Sequence, residues 1–215
     1  MRIILAGAAL TLAACASGPP APEWKADAHG ALRNFEVAYL RGNSRLAEQE
    51  FERARSALAS TGRADLVARA ELVRCAARVA SLDFDDCRGY QALAGDAPAA
   101  ERAYAAYLAG KADGADVALL PAHHRAVAAG AGDALASIED PLSRLVAAGV
   151  LFREGRATPA GIGIAVETAS AQGWRHPLIA WLGVQARRAE EAGDRDAAAA
   201  IRRRIRLVTG EAGDR

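Results

Sequence analysis

The chain has 215 residues, 52% of them hydrophobic but only 5% aromatic, with 27 Lys plus Arg against 26 Asp plus Glu. That balance excludes a nucleic-acid binder, which carries a net basic face, while the length is ample for a core in one large or two small domains. The apolar content is mostly Ala, Leu and Val, the composition of closely packed helices, and strand signals are nearly absent.

Met1-Arg2, the apolar run from Ile3 to Ala9 and the small residues ahead of Cys15 form a cationic head, an apolar stretch and a cleavage region, in the order of a secretory signal. The apolar stretch falls short of the roughly 20 residues that span a bilayer core, so a removed leader is expected, not a permanent transmembrane helix. Leu12-Ala13-Ala14-Cys15 resembles the lipobox of bacterial lipoproteins. The resemblance implies cleavage before Cys15, with residues 1–14 as the signal peptide and lipid on the Cys15 thiol and amine. At about 0.8 kcal/mol per buried methylene, those chains give stable anchoring. In such lipoproteins an Asp after the cysteine retains the protein at the inner membrane. Here that residue is Ala16, which implies the outer membrane, periplasmic face. An ordinary signal peptide with an incidental Cys15 is the alternative.

Ala16 to Pro22 holds three prolines and no large apolar group, so residues 15–23 read as a lipidated, Pro-rich tether. At about 3.1 Å per residue it lifts the folded part roughly 20 Å from the headgroups. Residues 24–215, beginning at Trp24, are expected to form one all-helical domain.

In that domain apolar positions recur at three and four, first as Ala47, Phe51, Ala54 and Leu58 after a turn at Gly42, the pattern of a one-sided helix. Beyond Gly62, a second helix carries Leu72, Cys75 and Val79 on one face, and Cys87 begins the next element after the turn Leu82 to Asp86. If Cys15 carries lipid, Cys75 and Cys87 remain as an even pair in an oxidising compartment, and a disulfide is expected. Closing a loop of about a dozen residues would stabilise by around 3 kcal/mol in the chain-entropy model; two free buried thiols are the alternative. Further turns fall at Gly110, Gly114, Gly130 and Gly132. Asp140-Pro141 and Thr158-Pro159 each set a capping oxygen before a proline that needs no amide donor, and His176-Pro177 suggests another start. With Gly155, Gly173 and Gly193 closing the later turns, the reading is about ten helices in roughly five antiparallel hairpins.

Three turns share more than a glycine: Gly42 is followed by Ala47, Phe51 and Ala54, Gly155 by Ala160 and Ile164, and Gly193 by Ala198 and Ile205. This pattern resembles the tetratricopeptide repeat family, where an Ala five after the turn glycine and a small residue seven before it let two helices approach. Ala148 and Ala186 fit the earlier position; Phe35 does not, and Glu167 and Arg202 stand where the family prefers apolar or small residues. Gly155 and Gly193 lie about 38 residues apart, and five such units would fill the mature chain. Residues 83 to 133 show no clear copy. The resemblance implies an all-α fold of antiparallel hairpins stacked as a tetratricopeptide-like solenoid, with an irregular helical bundle as the alternative.

Chemistry-bearing patterns are sparse. The histidines are His29, His123, His124 and His176, and no Gly-x-Ser-x-Gly elbow occurs, so no nucleophilic triad and no catalytic residue is assigned. His123 and His124 are adjacent and would point about 100° apart on a helix, unlike the i, i+4 pairs that chelate. Neither they nor the cysteines predict a metal site. Gly161-Ile162-Gly163 follows no strand, so no nucleotide or other cofactor is expected. The paired acids Asp85-Asp86, Glu139-Asp140 and Glu190-Glu191 are the candidates for glycan cleavage, but their positions favour capping and solvation. In the last helix Arg202, Arg203, Arg204 and Arg206 oppose a stripe of Ala198, Ile201, Ile205 and Val208. Arg202, Arg203 and Arg206 are thus candidate contacts to an acidic partner or anionic lipid, or else a solvated face.

Hairpin repeats expose grooves for peptides or partner helices, and a lipid anchor holds such a surface beside the membrane. The function expected is a protein-protein scaffold or adaptor in envelope assembly, with an envelope protein partner. A cell-wall hydrolase or its activator, and a structural envelope lipoprotein without a dedicated ligand, are the alternatives.

Overall fold

Asp140 and Thr158 cap helices as their prolines predict: Asp140 Oδ2 accepts the Ser143 N–H at 2.7 Å and Thr158 Oγ1 accepts the Gly161 N–H at 3.0 Å. The computed structural model describes residues 22–211. The expected signal peptide 1–14, the expected lipidation site Cys15 and the expected tether as far as residue 21 lie outside the described residues. Among the described residues there are eleven α-helices, two short 3-10 helices and no strand, so the fold is all-α.

The N-terminal hairpin pairs α1 (Glu23–Leu40) with α2 (Ser44–Ala59), whose cap Asn43 accepts the Leu46 N–H at 3.2 Å. α3 (Ala64–Ala80) packs on both. Then come α4 (Arg88–Gln91), a 3-10 turn at Ala94–Asp96, α5 (Ala99–Leu108), α6 (Gly114–Leu119), α7 (Ala122–Ala128) and a second 3-10 turn at Gly132–Ser137. These short pieces fill the stretch with no clear repeat. Gly114 and Gly132, expected as turns, are instead the first residues of helical segments; Asp113 ahead of Gly114 forms a capping box with Asp116, which favours helix there. Long helices return with α8 (Pro141–Arg153), α9 (Pro159–Ala171), α10 (Arg175–Glu191) and α11 (Arg195–Thr209), each packed on the next. α10 starts at Arg175, ahead of His176-Pro177, so Pro177 sits in the first turn, where its missing donor leaves no bond unmade.

Hairpin stacking holds at the two ends, and α3 packs directly against α8 to join them, with α5 covering both and α1 reaching α10. The α3–α8 crossing is close because residue 149 is glycine: a Cβ built on Gly149 would lie 2.3 Å from the Val79 carbonyl oxygen. Trp181 on α10 is fully buried and its indole Nε1 donates to the Ala80 carbonyl at 3.0 Å, tying the C-terminal hairpins to the end of α3. Phe35, Phe51, Ala47 and Ala77 form a smaller cluster between α1, α2 and α3, while Trp24 packs at the far end near Ala28 and Leu58. Of the alanines five after a turn glycine, Ala47 and Ala198 are buried and Ala160 is exposed.

Cys75 on α3 and Cys87 at the start of α4 are placed at disulfide distance, with their Cα atoms 5.8 Å apart. The turn between them is pinned by charge: Arg78 pairs with Asp83 and Asp85, and Asp85 Oδ1 accepts the Cys87 N–H at 3.0 Å. No described helix is long and apolar enough to cross a membrane.

Candidate functional site

A cleft of about 440 Å³ opens where α1, α3 and α5 meet the start of α8 and the α9–α10 turn. α1 contributes Glu36, Val37 and Leu40, because burial of Phe35 and Ala38 turns the next residues of the helix toward this edge. Val73 and Ala76, three apart on α3, form the floor. Tyr104 of α5, Asp140 and Ser143 at the start of α8, and Trp174 before α10 complete the wall.

Two carboxyl groups face this space. Partial burial, reinforced by the negative charge of Asp140 and only partly offset by Arg33, raises the Glu36 pKa above the ordinary carboxylate value. Burial also raises the Tyr104 hydroxyl, and Glu36 and Asp140 push it further in the same direction, so the three groups share one electrostatic environment. Neither Glu36 nor Asp140 forms an ion pair with a described residue. Arg144, one turn beyond Asp140, is used elsewhere, donating to the Ile138 carbonyl at 2.8 Å and to Thr168 Oγ1 at 3.3 Å.

A second cleft of about 400 Å³ adjoins the first and shares Val73 and Tyr104 with it. Its walls are apolar, with Leu72, Leu119, Leu120 and Pro121, and Arg69 and Glu101 neutralise each other at 3.3 Å on its rim.

The residues singled out in the sequence are scattered. Arg202 Nε donates to Glu190 Oε1 at 2.7 Å, so this candidate partner contact is already engaged between α11 and α10, while Arg203 and Arg206 are exposed and make no described ion pair. Asp85 serves the Cys87 turn, and Asp86 and Glu139 are exposed. Only Asp140 of the paired acids reaches the cleft. His123 is exposed and His124 buried; the His124 Nδ1 lies 3.2 Å from the Tyr107 hydroxyl, and burial, with His123 beside it, pushes the imidazole pKa down to about 4. Cys75, Asp85 and Cys87 converge, but the two sulfurs face each other at bonding distance and offer no free thiolate for a metal.

Glu36, Tyr104 and Trp174 were not singled out in the sequence. The one signal for Glu36 is its place as a lone acid within Phe35, Val37, Ala38, Tyr39 and Leu40. No protein-family model matches the chain, and no curated protein or solved structure is significantly similar to it.

Proposed function

We propose that this protein is a lipid-anchored, periplasm-facing lipoprotein of the outer membrane that acts as a protein-protein interaction scaffold or adaptor in envelope assembly. The lipobox-like Leu12 to Cys15 supports the anchor. The observation that carries the adaptor reading is the pair of adjoining, largely apolar clefts that share Val73 on α3 and Tyr104 on α5. Such concave apolar surface on a rigid frame is what a docking segment needs, and it weighs against a purely structural lipoprotein. Arg203 and Arg206 give α11 a second, basic surface for an acidic partner or anionic lipid. In-cell crosslinking of the lipidated protein, with Cys15→Ser as the mislocalised control, tests this reading. A reproducible envelope partner lost with the anchor is expected; crosslinks indifferent to the anchor would refute it.

Cell-wall hydrolysis, or its activation, is the second reading, and one observation favours it: Glu36, with its raised pKa, stands in a cleft beside Asp140. Glycosidases use a pair of carboxyl groups in one cleft, an acid and a base or nucleophile. On that reading wild-type protein releases soluble fragments from purified peptidoglycan and Glu36→Gln does not. Release at equal rates from both would dismiss it.

A further inference from the structure

The two clefts together are more specific than a generic apolar surface. Among the described residues only four large hydrophobic side chains are strongly exposed, and Val37, 47% exposed, lines the first cleft while Leu119, 46% exposed, lines the second. With Val73 and Tyr104 common to both, the exposed apolar surface runs from the start of α8, across α3, to the end of α6.

Charge is distributed unevenly along it. At the second cleft Arg69 and Glu101 cancel. At the first, Glu36 and Asp140 face the same space, and the described cations nearby do not close on them: Arg33 lies one turn earlier on α1 and is exposed, Arg144 is bonded to Ile138 and Thr168, and Arg175 lies beside the Gly42 turn. The α8 N-terminus would by itself favour an anion, but the Asp140 carboxylate already occupies it. Two carboxyl groups with no ion-pair partner among the described residues, in a cleft that Trp174 and Tyr104 also line, suit an organic cation, which gains from the charges and from aromatic walls. A hard metal ion would want six or more oxygens in place of aromatic walls.

We propose that the paired clefts form one peptide groove, in which Glu36 and Asp140, in a cleft also lined by Trp174 and Tyr104, take the ammonium or guanidinium of a partner's Lys or Arg side chain while its aliphatic neighbours lie along Val73, Leu119 and Pro121. The occupant is an extended or helical segment with one basic residue followed by Leu-like residues. This rests on the adaptor reading and names the chemistry of the partner.

The test uses full-length lipidated protein in detergent micelles with fluorescent, end-blocked peptides that carry one lysine and three leucines, the same peptide with norleucine for lysine, and butylammonium as competitor. The lysine peptide binds, and the norleucine peptide binds at least about tenfold more weakly. Glu36→Gln and Asp140→Asn, which keeps a capping side chain at α8, each weaken the lysine peptide by about tenfold, Leu119→Ser weakens both peptides, and the exposed Arg195→Glu changes neither. Equal binding of the two peptides, or wild-type affinity in both acid variants, overturns the proposal. So does butylammonium competing as strongly as the peptide, which would leave a small-amine pocket in its place. If no peptide binds while anchor-dependent crosslinks persist, the groove assignment falls and the adaptor reading stands.

Discussion

Replacing Gly149 with alanine should destabilise the protein even though alanine is the better helix former. In the middle of an exposed helix the exchange gains about 1 kcal/mol. At residue 149 the added Cβ would stand 2.3 Å from the Val79 carbonyl oxygen. Neither atom can swing aside, because both belong to rigid backbone, so α3 and α8 must move apart along a contact that buries Leu145, Val146 and Val79. Overpacking of this kind costs about 1–3 kcal/mol, and backbone against backbone belongs at the upper end. About 3 less about 1 leaves a net loss of about 2 kcal/mol. Gly183→Ala provides the control: that residue also lies in mid-helix, with nothing within 4 Å of its ideal Cβ, so it should stabilise by up to about 1 kcal/mol. Urea unfolding followed by circular dichroism, with slopes compared to confirm unchanged cooperativity, measures both. If Gly149→Ala is as stable as wild type, the close crossing of α3 and α8 is refuted.

Three further outcomes are expected. Reducing the protein, or the change Cys75→Ser, should cost about 3 kcal/mol by releasing a loop of about a dozen residues; equal urea midpoints with and without reductant would deny the bond between Cys75 and Cys87. His124, held down to about 4 against an ordinary 6.5, binds its proton more readily unfolded, so stability should fall by about 3 kcal/mol as pH drops from 6.5 through 4. A His124 ring signal titrating near 6.5 by NMR would contradict that placement. Glu36 has the opposite sign: its folded pKa is raised, so its contribution is most favourable below the unfolded value of 4.5 and is lost as pH rises through the folded pKa. Glu36→Gln should therefore gain stability relative to wild type across that window, and a constant difference at every pH would show that the carboxyl is not perturbed.

The helices were legible because their signals are local. Asp140-Pro141 and Thr158-Pro159 combine a capping oxygen with a proline tolerated at the first helical position, and both helices begin there. The same holds for Gly155 and Gly193, whose φ values of 70° and 75° suit a residue without a Cβ. The closeness of Cys75 and Cys87, whose Cα atoms lie 5.8 Å apart, was foreseen from a short hairpin and from the parity left if Cys15 carries lipid. Gly114 misled because a glycine can open a helix when the residue before it, here Asp113, supplies the cap, and Gly132 opens a 3-10 turn after Ala131 with no side-chain cap.

The cleft was not legible, and the reason is distance along the chain. Glu36, Val73, Tyr104, Asp140 and Trp174 belong to five separate segments, and no periodicity relates them; what brings them together is the direct packing of α3 on α8. The same crossing depends on Gly149, which in the sequence is one small residue in an apolar stripe. Asp140 illustrates the limit from the other side, since its capping role is visible in Asp140-Pro141 while its second role, facing Glu36, requires α1 to be in place.

α3 is where these separate features meet. It carries Cys75 toward α4, the Val79 and Ala80 carbonyls toward α8 and Trp181, and Val73 with Ala76 toward the cleft. Residues on three sides of a helix cannot shift independently, because one rotation or translation of the rod moves them all. The cleft floor is therefore tied to the Cys75–Cys87 contact and to the α8 crossing, whose own Leu142 and Val146 line the same cleft. A docking surface built this way loses little conformational freedom on binding, whereas a groove formed from the short helices of residues 83 to 133 alone would have to order itself first. The irregular middle of the chain supplies most of the second cleft, with Glu101, Tyr104, Leu119 and Pro121 in its lining, and α3 supplies the floor that joins it to the first.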